Sequence, residues 1–140
     1  MNLEILKIAS DTTNNKKLHN CTHKSKYKNP ICGDEMEVGV KISKDQILDF
    51  SYWCKSCIYC QASASVLSKF SINKNVNSIN KVIGFFNVFF ENNNVKFPKN
   101  LKKFKILFSK KNLARKDCIL LPFKALSKTL KLKNEKNKFS

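Results

Sequence analysis

Between Glu35 and Tyr52 the chain commits itself to a hairpin. Met36, Val38, Val40 and Ile42 alternate with Glu37, Gly39 and Lys41; after the polar "SKDQ" turn, Leu48, Phe50 and Tyr52 alternate again. A period of two puts one set of side chains on a buried face and the other in water, and two such runs around a short turn predict an antiparallel hairpin. A sheet that is apolar on one side needs a cover, and the rest of the chain supplies it.

After Cys57 the period changes to that of a helix. "CIYCQASASVLSKF" predicts a helix whose first turns carry small residues suited to close packing. Val76, Ile79, Ile83, Phe86 and Phe90 form the apolar stripe of a second helix, and Ile119, Phe123, Leu126 and Leu130 that of a last one. Leu3, Leu6 and Ile8 suggest a helix near the start, and "CTHKSKYK" a short strand with a weaker pattern. "ENNNVKFPKN" reads as a loop, "LKKFKILFSKKN" as a return to the core, and residues 133–140 as a polar tail. Strands precede helices, so the expected class is α+β: a small antiparallel sheet of about three strands with helices packed on one face. At 140 residues the length suits one domain, 1–140.

No apolar run approaches membrane-spanning length, and "MNLEILKIAS" mixes acid and base with its apolar residues, unlike a signal peptide. The expected location is the cytoplasm, with no membrane partner. Six cysteines in a reducing compartment then read as ligands, nucleophiles or buried residues before disulfides. The net charge of +17 points to nucleic acid at first sight, but every basic residue except Arg115 is lysine. Base reading favours the arginine fork, and aromatic residues are not interleaved with the lysines. A solvated lysine-rich surface accounts for the charge without a nucleic-acid partner.

Three thiols stand in places that favour the thiolate or aim it. Cys32 lies between Pro30 and the Gly33–Asp34 pair, where a glycine turn would direct Cys32 and Asp34 at one point. Cys57 is at a helix start, where unpaired N–H groups favour an anion. Cys118 is flanked by Arg115 and Lys116, whose charges act in the same sense. Three thiolates and a carboxylate would make a four-ligand metal pocket. Each thiol taken singly also reads as a small buried residue, and Asp34 as a turn cap.

The order "NPICGD", then Cys57 five residues ahead of "ASAS", then "RKDC" with "LPFKAL" behind it, resembles the iron–sulfur assembly scaffold family of SufU, IscU and the NifU N-terminal domain, over about residues 25–132. The long interval between Cys57 and Cys118 is similar to the SufU-like branch. The resemblance implies a three-stranded antiparallel sheet with helices against it, and a ligand set of Cys32, Asp34, Cys57 and Cys118. It implies sulfur delivered as a persulfide by a cysteine desulfurase, with Cys57 and Cys118 as candidate acceptors. A transient [2Fe–2S] cluster would then pass to apo iron–sulfur proteins, the chain acting as a carrier rather than an enzyme. It also implies an alternative in which the same ligands hold Zn2+ and the chain stimulates the desulfurase as a sulfur-transfer partner. Arg115 falls on the family's basic position, suited to clamping a desulfurase carboxylate.

The chain departs from the family pattern at several points. The N-terminal histidine-tyrosine and proline-arginine-asparagine signature is missing, and Ser56 stands where a glycine commonly precedes the ligand cysteine. Asp117 replaces the histidine of the IscU branch and is an auxiliary oxygen-ligand candidate. Cys54 and Cys60 are extra: Cys60 reads as packing beneath the helix or a reserve thiol, Cys54 as an auxiliary sulfur acceptor. The resulting Cys-x2-Cys-x2-Cys run lacks a ferredoxin's fourth cysteine, because position 64 is Ala. His19, Cys21 and His23 read as surface residues. Pro122, four residues after Cys118, would either free a carbonyl beside that ligand or begin a new helix.

Overall fold

The computed structural model describes residues 3–17, 19–31, 33–92 and 95–132. Helix α1 spans Leu3–Ala9, strands β1, β2 and β3 span His23–Lys28, Glu35–Ser43 and Gln46–Lys55, and helices α2, α3 and α4 span Ile58–Ser71, Val76–Asn87 and Lys116–Leu130. Short 3₁₀ segments, Phe89–Glu91, Lys99–Phe104 and Lys110–Arg115, lie between α3 and α4. The strands form an antiparallel meander in the order β1-β2-β3. Helices α2 and α4 pack on the sheet and on each other, with α1 against α2 and α3 against α4. The α+β architecture expected from the strand-then-helix order is the one observed.

Met36, Val38 and Val40 face the core fully buried, as their alternation predicts. On β3 the expected set is corrected: Ile47, Phe50 and Tyr52 are buried, while Leu48 is 42% exposed. The register slips between Lys41 and Ile42, so Lys41 faces Asp49 while Ile42 faces Ile47. A bulge of this kind inserts one residue and inverts the alternation on either side of it. The expected weak first strand is β1, with Lys24, Lys26 and Lys28 alternating outward from His23, Ser25 and Tyr27. His23 is buried rather than on the surface, its Nδ1 2.7 Å from the Thr22 hydroxyl. Helix α1 also differs from expectation: it ends at Ala9 and buries Ile5 and Ala9, leaving Leu3 and Leu6 exposed. Just beyond its end the Asp11 carboxylate reaches forward to accept from the Thr13 N–H and hydroxyl.

The hairpin turn is made by Lys44 and Asp45, both at positive φ (50° and 63°). Turns of this hand match the twist of the flanking strands but favour Asn-Gly, since side chains resist the left-handed region. Tertiary bonds hold the pair in place: Val76 N–H donates to the Asp45 carbonyl at 2.8 Å and Ile47 N–H to that of Lys74 at 2.9 Å. The double change Lys44→Asn, Asp45→Gly is expected to raise stability by about 1 kcal/mol, read as a higher urea midpoint at unchanged slope.

Small residues let α2 and α4 approach closely. Ala62, Ser63, Ala64 and Ser65 are buried, and the Ser63 hydroxyl donates to the Ile119 carbonyl at 2.6 Å. Pro122 sits inside an unbroken α4 rather than at the start of a new helix. The second half of α4 is tied to β1, with Ser25 and Thr129 hydroxyls 2.6 Å apart. "LKKFKILFSKKN" does return to the core, burying Leu101, Phe104, Leu107 and Phe108. The aromatic stripe of α3 stops at Asn87, and Phe90 falls in the following 3₁₀ turn. No described helix is long and apolar enough to cross a membrane.

Candidate metal centre

Three separate elements bring donors to one point. The loop ahead of β2 is a tight turn closed on Asn29. Its side-chain oxygen accepts from Ile31 N–H at 2.8 Å, its carbonyl accepts from Gly33 N–H at 2.9 Å, and its own N–H donates to the Asp34 carbonyl at 2.8 Å. Gly33 sits at φ 77°, the left-handed conformation that a side chain would resist. That geometry aims Asp34 inward. Cys32 lies outside the described residues.

Cys57 is the N-cap of α2, in extended conformation and with no side-chain capping bond. Cys118 is in the first turn of α4. Asp34, Cys57 and Cys118 are all partly buried, and their potential ligand atoms lie within 4.8 Å of one another. The Cys118 sulfur is 3.8 Å from Asp34 Oδ2. Two sulfurs at the amino ends of two helices and one carboxylate oxygen, at this spacing, are a donor set that could hold a thiophilic cation.

Asp117 takes no part in that trio. It lines a separate depression with Asn87, Glu91, Lys116 and Lys124. Arg115 closes the 3₁₀ segment before α4, and its guanidinium lies 5.5 Å from the centre of the Tyr59 ring, two residues beyond Cys57. Sequence reasoning does not single out Tyr59; the available signal is an aromatic residue in the first turn of the same helix as a ligand.

Cys54 and Cys60 stand outside the trio. Cys60 is fully buried and Cys54, near the end of β3, is partly so. The neighbouring Cys60 thiol, acting against burial, holds the Cys54 thiol below its ordinary range, at about 7. Cys60 is pushed the other way, by the Cys54 thiol and by burial.

A family model described as the NifU-like N terminal domain matches residues 3–91, which include Asp34 and Cys57 but stop short of Cys118. No curated protein sequence matches the chain. Among solved structures, the N-terminal part of a nitrogen-fixing NifU-like protein from Brucella abortus is 21% identical with a TM-score of 0.82, over 92% of this chain and 90% of that one. A SUF-system protein from Fervidobacterium islandicum, assigned there as an iron–sulfur cluster assembly scaffold, is 23% identical with a TM-score of 0.82. That match covers 94% of this chain and 96% of the other. At these identities the likeness is one of fold.

Proposed function

Because the chain belongs to the NifU-like N-terminal domain family, we propose that it is a single-domain scaffold on which iron–sulfur clusters are assembled and from which they are handed on. The observation that carries this reading is the convergence of Asp34, Cys57 and Cys118 within 4.8 Å. Cys32, two positions before Asp34, is the fourth ligand in this reading. Sulfur arrives from a cysteine desulfurase as a persulfide on Cys57 or Cys118, iron joins it, and a [2Fe–2S] cluster is the cargo passed to apo-proteins in the cytoplasm. The chain is a carrier, not a catalyst.

The mixed donor set suits release. Carboxylate oxygen is a harder and weaker partner for iron–sulfur iron than thiolate, so one corner of the cargo stays labile. Thiolates and a carboxylate together make a negative site, which the lysine-rich surface offsets. Arg115 lies over the ring of Tyr59, two residues beyond Cys57, and its planar guanidinium suits a partner's carboxylate bidentately.

Purification without oxygen, followed by reconstitution with iron, sulfide source and desulfurase, tests the reading. The expected result is a visible cluster chromophore that disappears when an apo-ferredoxin is added and reappears on it. A chain that takes up no iron or sulfide under these conditions overturns it.

A second reading has one observation in its favour, the tightness of the trio. With a Zn–S bond of about 2.3 Å and a Zn–O bond of about 2.0–2.2 Å, the sulfur–oxygen edge of a tetrahedron is about 3.5–3.7 Å. The Cys118–Asp34 separation of 3.8 Å is close to that edge, which suits these two donors to a single ion. In this reading the chain holds Zn2+ and stimulates the desulfurase by accepting its sulfur on Cys57. One tightly held zinc, no chromophore and a strong stimulation of sulfur turnover would favour it over cluster building.

A further inference from the structure

The outer face of the sheet, opposite the helices, carries a depression that the candidate metal centre does not use. Met36, Val38 and Val40 point into the core, so Glu37 and its cross-strand partner Trp53 point the other way. Trp53 is the only tryptophan in the chain and is 48% exposed. A half-exposed indole leaves a large apolar face in water, which a planar ligand would cover. The segment leading from α1 to β1 passes the edge of β3, where the Asn14 carbonyl accepts from Tyr52 N–H at 3.0 Å. It brings Lys16, Lys17 and His19 to the same place, and with Lys24 and Glu37 they line a depression of about 430 Å³ beside Trp53. Small-molecule sites are of about this size, roughly 300–1,000 Å³.

The charges here favour an anion. Among the described residues that line the depression, Glu37 is the single carboxylate, and Lys24 holds it at 3.3 Å. Lys16 reaches Asp49 only at 3.8 Å with both side chains half exposed, a pairing that holds a lysine weakly. Lys17 has no acidic partner among the described residues. The net charge of +17 adds to the pull on a multiply charged anion. Beside these cations stands a flat indole face, and nucleobases of every kind stack on such faces.

We propose that this depression binds a nucleoside triphosphate, its base stacked on Trp53 and its phosphates held among Lys16, Lys17 and His19. Glu37 offers an acceptor to an amino group on the edge of the base. A single strand of nucleic acid suits the face less well, because strand-binding surfaces present successive aromatic platforms and the described residues supply one here. The site shares no residue with Asp34, Cys57 and Cys118, so it stands or falls apart from the scaffold reading.

ATP without added metal is the probe, titrated into the whole chain at low salt. Trp53 emission is excited at the red edge of its absorption, where adenine is transparent, and calorimetry follows the same titration. The expected result is saturable quenching by millimolar ATP or less, at one site per chain, weakening as salt is added. By calorimetry, Trp53→Leu is expected to bind at least roughly fivefold more weakly, while Trp53→Phe, which keeps a stacking face, stays within about threefold of the parent. Lys16→Ala combined with Lys17→Ala is expected to weaken binding roughly tenfold and to flatten its salt dependence. Circular dichroism spectra that superimpose on the parent's show that these losses are local. Absence of quenching and heat at millimolar ATP overturns the proposal, as does full affinity in Trp53→Leu. Tripolyphosphate bound as tightly as ATP, or a single-stranded oligonucleotide bound far more tightly, overturns it as well.

Discussion

Cys57→Ser is expected to lower the affinity of the chain for zinc by at least about a hundredfold, and to leave the metal-free chain as stable as before or more so. Both halves follow from where Cys57 sits. Loss of a partner that merely orients a metal ligand already costs about 10–100-fold in affinity, so removing a directly bound thiolate exceeds that. A serine hydroxyl does not ionise near neutrality and is a poor replacement. Cys57 is also the N-cap of α2, and its side chain makes no capping bond. Serine is among the preferred N-caps and satisfies a helix N–H that cysteine leaves open, worth up to about 1 kcal/mol. Competition against a chromophoric chelator reads the first effect, and urea unfolding of the metal-free chains reads the second. Cys118→Ser should match the loss of affinity without the gain, since Cys118 lies inside the first turn of α4. Unfolding of the metal-free Cys57→Ser chain would mean that the thiol serves the fold. Unchanged zinc affinity would mean that it is not a ligand.

The second large effect is on stability. Phe86→Ala is expected to cost about 3–5 kcal/mol, the range for truncating a buried aromatic. Phe86 is fully enclosed, and ring centres of Phe85, Phe97, Phe104, Phe108 and Phe123 lie 4.0–5.8 Å from its own. It therefore joins α3 to the 3₁₀ segments and to α4. A domain of this size has about 5–15 kcal/mol in total, so the variant should melt about 10 °C or more below the parent. Phe97→Ala is the comparison, since Phe97 is only partly buried at the margin of the same group. Calorimetry or thermal circular dichroism checks both. A fall of under about 1 kcal/mol for Phe86→Ala would mean that the cluster closes over the gap.

How far the sequence carried depended on the reach of each feature along the chain. The β2–β3 hairpin was legible because its alternation is local, and it failed at Leu48, where an inserted residue shifts the register without any glycine to mark it. The first helix misled because Leu3 and Leu6 are apolar but exposed, while the buried face runs through Ile5 and Ala9. His23 looked solvated for want of a pattern, yet it opens β1 against Thr22. The two halves of the candidate site were legible as local devices, a glycine turn before Asp34 and a helix start after Cys57. Their meeting with Cys118 was not, since it depends on α4 packing against α2 through side chains as small as Ser63. Cys118 was marked as a thiolate by its neighbours Arg115 and Lys116, and resemblance to a family strengthened its place beside the other two.

The contact between Ser63 and Ile119 has a consequence for the direction in which such a site opens. It clamps the helices that carry Cys57 and Cys118, so those two sulfurs behave as the fixed jaw of a vice. Asp34 rides on the other jaw, a surface turn whose neighbour Ile31 is 83% exposed, and such turns yield before packed helices do. Exchange should therefore begin at the carboxylate and finish at the sulfurs, with the incoming protein approaching from the side of the turn.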